Sequence, residues 1–247
     1  MPPRGDVAIV IPAKNESDRI GATVKAAAQT PGADLVVVVD DGSRDGTAAV
    51  AERAGAIVLR HSRCRGKGAA LETGAEAVML LERDDDQPRH LLFLDGDLAG
   101  SASHAAALVQ PVRAGQADMT IAVFTDRVRA GGHGFVIGLS GAGIRRATGW
   151  SPAQPLNGQR CLTRAAFEAA RPLAAGWGVE TGLTIDLLRQ GFRVTEVQVP
   201  MAHRATGADW RAQLHRARQF AGVGWALAVR DPRAQAARRA IRRADQR

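Results

Sequence analysis

The sequence predicts an α/β fold: one domain on a mostly parallel sheet with helices on both faces. Three observations predict it. Short β-branched runs recur through the first half, helical stretches separate them, and polar residues gather directly after each run. Strands alternating with helices in this way imply right-handed βαβ units.

The elements follow in order. Val7–Ile11, Leu35–Val39 and Ala56–Leu59 are apolar without alternation, the pattern of strands buried on both faces. Helices are expected at Ser17–Ala28, Asp45–Ala54 and Gly68–Leu81, with Ser17 or Asn15 capping the first and Asp45 or Ser43 the second. A fourth strand, Leu91–Leu94, follows an acidic loop, Arg83–Arg89, expected to be exposed. The second half is less regular. Asp118–Val123 reads as a strand and Thr125–Gly134 as a polar loop, with Gly131–Gly134 a candidate lid. Val136–Ala147 reads as a helix, Gln159–Leu162 as a short strand, Val179–Arg189 as a helix and Arg193–Val199 as a strand. Trp210–Val229 closes the fold as an amphipathic helix.

Composition excludes several classes. The chain has 247 residues, 45% of them apolar, enough for a substantial core and unlike a disordered chain. Cys64 and Cys161 are too few for a disulfide framework, and no apolar run approaches a membrane span, so a cytoplasmic protein is expected. The net charge is +8, but seven arginines and two aspartates lie in Arg230–Arg247, so most of the excess is local. A nucleic-acid footprint would spread over the folded surface, and no nucleic-acid partner is expected. The tail can give only weak peripheral attraction to the anionic inner face of a membrane.

In open parallel sheets, ligands bind beyond the carboxyl ends of the strands. Four polar sets fall there: Pro12-Ala13-Lys14-Asn15-Glu16, Asp40-Asp41-Gly42-Ser43, His61 to Gly68, and Asp95-Gly96-Asp97. Two carboxylates flanking a glycine at a strand end suit one hard divalent cation, Mg²⁺ or Mn²⁺, with positions open for diphosphate oxygens. Two nucleotide signatures are missing. Arg65-Gly66-Lys67-Gly68 lacks the glycine spacing and hydroxyl of a P-loop, and no G-x-G-x-x-G follows the first strand.

Val10-Ile11-Pro12-Ala13-Lys14-Asn15-Glu16, Val39-Asp40-Asp41-Gly42-Ser43-Arg44-Asp45-Gly46-Thr47, Gly66-Lys67-Gly68-Ala69-Ala70 and Asp95-Gly96-Asp97 together resemble the family 2-type glycosyltransferases of the GT-A fold. The order and spacing agree over roughly residues 7–125. Asn157-Gly158-Gln159-Arg160, Gly176 to Leu183 and His203-Arg204 are similar to the glucosyl-3-phosphoglycerate synthase branch, although Val199 to Gly207 departs from that branch's usual ending. The resemblance implies a GT-A, Rossmann-like domain. Its residues 1–125 form the nucleotide-sugar half and 126–229 the acceptor half, with 230–247 a basic tail.

It further implies a nucleotide-sugar donor, UDP-glucose favoured; the arginines of the second half point to transfer to a hydroxyl or phosphate of an anionic acceptor, small or, given the basic tail, polyprenyl-phosphate. Carried over by position, Pro12, Ala13, Glu16, Asp40, Lys67, Asp95 and Gly96 bind the donor. Asp97 and His203 hold the metal. Asn157, Gly158, Arg160 and Arg204 meet the acceptor. Glu180, with Asp97, is placed among the catalytic groups; Glu180 or Asp186 serves as base in an inverting reaction, and Glu180 binds sugar or acceptor in a retaining one. Arg127, Arg129, Arg145 and Arg146 join Arg160 and Arg204 as forks for an anion. Plain readings stand beside these: Glu16 as a helix-entry charge, Lys67 as a solvated turn residue, His203 and the arginines as surface groups. A nucleotidyltransferase acting on a sugar phosphate and a catalytically silent nucleotide-sugar binder remain alternatives, and a homodimer stays open.

Overall fold

A computed structural model describes residues 5–82, 87–125, 134–201 and 221–230. Seven strands form one sheet: β1 (Val7–Ala13), β2 (Ala33–Asp40), β3 (Ile57–Arg60), β4 (His90–Phe93), β5 (Met119–Phe124), β6 (Arg160–Leu162) and β7 (Val194–Val199). Their spatial order is β3-β2-β1-β4-β6-β5-β7. β1 pairs in parallel with β2 and β4, β2 with β3, and β5 with β7, while β6 runs antiparallel to both β4 and β5. The chain winds outward from β1 to β3 and then crosses back to β4, so the switch point lies between β1 and β4.

Helices cover both faces: α1 (Ile20–Ala27), α2 (Thr47–Arg53), α3 (Lys67–Leu80), α4 (Ala106–Arg113), α5 (Gly134–Thr148), α6 (Arg164–Ala169) and α7 (Val179–Arg189). Residues 221–230 form an eighth helix, α8. Val7 to Ile11 are wholly buried, which is why β1 has no polar alternation. Its odd residues, Val7, Ile9 and Ile11, pack with Ile20, Val24, Leu92 and Leu108 beneath α1 and α4. Its even residues, Ala8 and Val10, pack with Leu71, Val78, Phe93, Phe167 and Leu183 beneath α3, α6 and α7. Phe93 and Phe167 meet edge to face with centroids 6.0 Å apart, worth about 0.5–1.5 kcal/mol beyond their burial. Gly74 lets α3 lie close on the sheet, since a Cβ there would come within 2.4 Å of Val10 Cγ1.

The structure departs from expectation in three places. α4, the 3₁₀ turn Ala99–Ala105 before it and α6 were not foreseen. α1 starts at Ile20 without a side-chain cap. α2 starts at Thr47, whose N–H donates to Asp45 Oδ1 at 3.0 Å, as expected of a cap, while Asn15, Ser43 and the other Asp45 oxygen tie two loops together, as described below. Arg89 is buried, not exposed, because its guanidinium bridges Asp34 at 2.8 Å and Glu82 at 3.6 Å; Arg164 joins the same Glu82. Of the closing helix expected from Trp210, residues 221–229 are helical and 210–220 lie outside the described residues. Among the described residues no helix is long and apolar enough to cross a membrane.

Candidate active site

The site forms where β1, β2 and β4 end. Pro12 and Ala13 are the last residues of β1, and Asn15 follows in the left-handed region (φ 56°), which asparagine tolerates. That turn lets two loops exchange bonds. Asn15 N–H donates to Ser43 Oγ and Arg44 N–H donates to Asn15 Oδ1, both at 2.9 Å; Glu16 N–H donates to Thr47 Oγ1 and Ser17 N–H to Asp45. Hydrogen bonding from Thr47 holds Asp45, against a small opposing effect of burial, at a pKa of about 2. Asn15 and Ser43 therefore bind loop to loop, and Asp45 does so while also receiving the Thr47 N–H at the start of α2.

Asp40 and Asp41 end β2 with different surroundings. Asp40 is fully buried. Its Oδ1 accepts the Ser43 N–H at 2.8 Å, while Oδ2 has no hydrogen-bond partner and faces Arg60 Nε at 3.3 Å. Asp41 is saturated: Oδ1 accepts from Arg65 N–H (2.7 Å) and meets His61 Nδ1 (2.7 Å), and Oδ2 accepts from Gly66 N–H (2.8 Å) and Cys64 Sγ (3.1 Å). Burial pushes this carboxyl up, but the donors outweigh it and its pKa is lowered.

Lys67, the first residue of α3, occupies the centre. Its Nζ lies 2.5 Å from Asp95 Oδ1 and 2.8 Å from Glu180 Oε1. Gln159 Nε2 donates to the other Asp95 oxygen at 2.9 Å. Burial opposes the ammonium, yet the two carboxylates more than offset it and its pKa is raised. The plain reading of Lys67 as a solvated turn residue is thereby corrected. Gly158 borders the same ion pair: a Cβ there would lie 2.2 Å from Nζ and 3.0 Å from both Asp95 oxygens. Glu180, 7% exposed, reaches Lys67 from the first turn of α7. Asp97 is half-buried at the turn after β4, and Arg19 donates to its carbonyl at 2.9 Å. Gly96 is buried against the ends of β1 and α1, its carbonyl accepting from Thr23 Oγ1.

Two acceptor assignments need correction. Arg160 is 1% exposed, and its guanidinium donates to the Asn157 carbonyl (2.9 Å), Thr184 Oγ1 (2.9 Å) and the Pro155 carbonyl (3.2 Å). Burial lowers its pKa to about 10, so this group is an internal brace with no fork turned to solvent. Asn157 is buried too, its oxygen accepting from Gln159 N–H and its amide donating to Gln154. Arg145 and Arg146 are exposed in the last turn of α5, where cations offset the helix dipole. Asp186 is held by Arg230 of α8, so of the two proposed bases only Glu180 reaches Lys67. His203, Arg204, Arg127, Arg129, the loop 131–133 and the tail 231–247 lie outside the described residues.

Sequence reasoning placed Asp41 and His61 in the strand-end sets but gave neither of them, nor Gln159, an individual role. The signal for Gln159 lies in the register. Phe93 pairs with Arg160, and continuing this antiparallel pairing places Gly158 beside Asp95. Only the order β4-β6, which no local pattern encodes, makes that readable.

The profile described as Glycosyl transferase family 2 matches residues 8–151. Glycosyltransferase AglJ of Haloferax volcanii is 31% identical over 85% of this chain and 67% of its own length. Glycosyltransferase AglD of the same organism is 31% identical over 91% of this chain, which spans only 38% of that longer protein. Among solved structures, glucosyl-3-phosphoglycerate synthase from Mycobacterium tuberculosis with Mn²⁺, uridine diphosphate and phosphoglyceric acid is similar at TM-score 0.73 and 25% identity, covering 92% of this chain and 78% of that one. The same enzyme with Mn²⁺, UDP-glucose and phosphoglyceric acid gives a TM-score of 0.70 at 25% identity, covering 91% and 80%. With a GT-A-like sheet, its strand-end loops joined at one edge, and a family match across more than half its length, this chain belongs to glycosyltransferase family 2.

Proposed function

We propose that the protein moves a hexosyl group from a nucleoside-diphosphate sugar, UDP-glucose favoured, to a hydroxyl or phosphate of an anionic acceptor. The observation that carries this reading is the Lys67 ammonium set between Asp95 and Glu180 at the sheet's switch point. An ammonium at that edge is suited to the negative charge that grows on a departing diphosphate. The synthase that this chain resembles supports the choice of donor, since it has been solved with UDP-glucose and Mn²⁺.

The residues fit a hard divalent cation. Asp95 and Asp97 place carboxylate oxygens at one strand end, and no three metal-ligating side chains gather among the described residues. The protein would then contribute one or two ligands and the donor's phosphates several more, the usual arrangement for Mg²⁺. Asp97 and His203 would hold the cation. When bound, it supplies Lewis-acid neutralisation of the diphosphate.

The chain's own groups divide the remaining work. Pro12, Ala13 and Glu16 border the nucleoside pocket, and Asp40 offers its unpartnered Oδ2 to the base once the exposed Arg60 side chain moves aside. Asp95 and Gln159 orient Lys67 toward the phosphates. Glu180, paired with Lys67, faces the sugar end as the carboxyl group for an oxocarbenium-like centre or its hydroxyls. Arg204 remains as the acceptor's anion partner, and the basic tail adds only weak attraction to anionic lipid.

The test screens UDP-, GDP- and ADP-sugars with Mn²⁺ or Mg²⁺ for nucleoside diphosphate release, beside Asp97→Ala. Metal-dependent release that vanishes in the variant supports the reading. Pyrophosphate release when a nucleoside triphosphate and a sugar phosphate are supplied instead would mark a nucleotidyltransferase, and tight binding without release from any donor and acceptor would mark a silent binder.

A further inference from the structure

We infer that Asp41 is a positioning residue that sets Lys67 in place, acting through the loop 61–66; this rests on the donor-binding reading of Lys67. The loop joins β3 to α3 with no regular structure of its own, and α3 starts at Lys67 behind a glycine, without a side-chain cap. Its shape must therefore come from elsewhere. One carboxylate provides it, taking the N–H groups of Arg65 and Gly66, the Cys64 thiol and the His61 ring. The two backbone N–H groups immediately precede Lys67, so Asp41 works as a remote cap that also places negative charge at the start of α3.

The anchor is itself fixed on three sides. Asp41 N–H donates to the Ala13 carbonyl at 2.9 Å, which ties it to β1. His61 Nε2 meets Thr73 Oγ1 at 3.1 Å, which ties the ring to the next turn of α3. Gly42, at φ 74°, presses its backbone against the loop so closely that a Cβ would lie 2.8 Å from Cys64 N. Gly66 (φ 93°, ψ 162°) makes the final bend in a region only glycine adopts readily. The ammonium that emerges spans three elements, from α3 to the ends of β4 and α7, and a small shift of its root takes it out of reach of both carboxylates.

Asp41→Asn discriminates sharply, because each Asp41 oxygen faces one backbone N–H. Whichever way the new amide turns, its NH₂ opposes the N–H of Arg65 or of Gly66, and neither can accept a hydrogen bond. The experiment is a double-mutant cycle of Asp41→Asn and Lys67→Ala, read as the Kd of UDP with Mn²⁺ by titration calorimetry, with thermal unfolding of each protein alongside. Asp41→Asn is expected to weaken UDP binding roughly tenfold in the wild-type background. In the Lys67→Ala background it is expected to change Kd by less than about twofold. An equal loss in both backgrounds, or wild-type affinity in Asp41→Asn, overturns the positioning role while leaving Lys67 at the donor. Wild-type affinity in Lys67→Ala overturns the donor reading and the positioning role together. Should Asp41→Asn fail to fold, His61→Phe removes one of the four donors without touching the backbone. The same cycle then applies, with coupling to Lys67 supporting the role and additivity overturning it.

Discussion

Gly158→Ala separates the working of the site from the stability of the fold. The new methyl would stand 2.2 Å from Lys67 Nζ and 3.0 Å from each Asp95 oxygen, where ordinary contact begins near 3.4 Å. The ammonium must retreat by about 1.2 Å, enough to break its 2.5 Å contact with Asp95. The displaced ammonium would lose its charge-assisted hydrogen bond to the diphosphate, worth about 1.5–3 kcal/mol, so UDP should bind roughly 10–150-fold more weakly if Lys67 serves the donor from this position. Folding should suffer far less. Gly158 does not have a positive φ, so alanine meets no backbone penalty, and the displaced atom is the end of a flexible chain. A loss below about 1 kcal/mol in urea unfolding is expected. Calorimetry with UDP and Mn²⁺ reads the first quantity. Wild-type affinity with an intact fold would refute the reasoning, because it would mean that the Lys67–Asp95 contact is irrelevant to donor binding.

Three further outcomes follow from the packing. Arg160→Met should destabilise the fold by about 2–4 kcal/mol, since it strands two buried carbonyls, and Arg160→Lys should recover less than half, as one ammonium cannot reach three acceptors; urea midpoints check both. Gly74→Ala gains about 1 kcal/mol in helix propensity but drives a methyl to 2.4 Å from Val10 Cγ1, an overpacking cost of about 1–3 kcal/mol, so a raised urea midpoint would contradict the packing described. Hydrogen bonds from Arg89, working against burial, hold the Asp34 carboxyl below its ordinary range. Its folded pKa is thus below its unfolded one, so its contribution is complete above about pH 4 and is lost as pH falls through the folded value; Asp34→Asn should flatten the fall in unfolding free energy between pH 4 and 2, roughly, and an unchanged slope would count against the pair.

The strands were legible, and all seven fall within two residues of the expected positions at either end: β1 to β4 read as apolar runs, although β3 at the sheet edge is only partly buried, and β7 reads by its alternation. The helix Ala106–Arg113 was not, since alanines and serines precede it and Pro111 interrupts its pattern, so little marks it until Leu108, Val109 and Val112 are seen against the sheet. Caps misled for a related reason. Asn15, Ser43 and Asp45 have the chemistry to cap a helix, and in the fold the Asn15 and Ser43 oxygens serve a neighbouring loop, while Asp45 divides its two between that loop and the start of α2. In the site, the strand-end rule located Lys67, Asp95 and Asp97, while Glu180 followed from family resemblance. What local sequence could not convey was which partner each charge would find. Arg160 looked like an anion fork because arginine usually stays in water, and its burial depends on carbonyls brought by a different turn.

The reversed strand β6 has a consequence for how such a protein can diversify. The excursion between β5 and β6 leaves the sheet and returns to it at one place, and Gln154 closes its base by using its side-chain amide as a stretch of backbone would: it accepts the Phe124 N–H at 3.1 Å and donates to the Phe124 carbonyl at 3.0 Å. Sequence exchanged between residues 125 and 154 therefore enters and leaves through a fixed gate, directly before the turn that carries Gly158 to Asp95. New recognition elements grafted there leave the strands in place but must keep the face of α5 that meets α7, where Ser140 Oγ and Thr181 Oγ1 lie 2.7 Å apart beside Glu180, so the fold combines a constant frame with a partly replaceable insert.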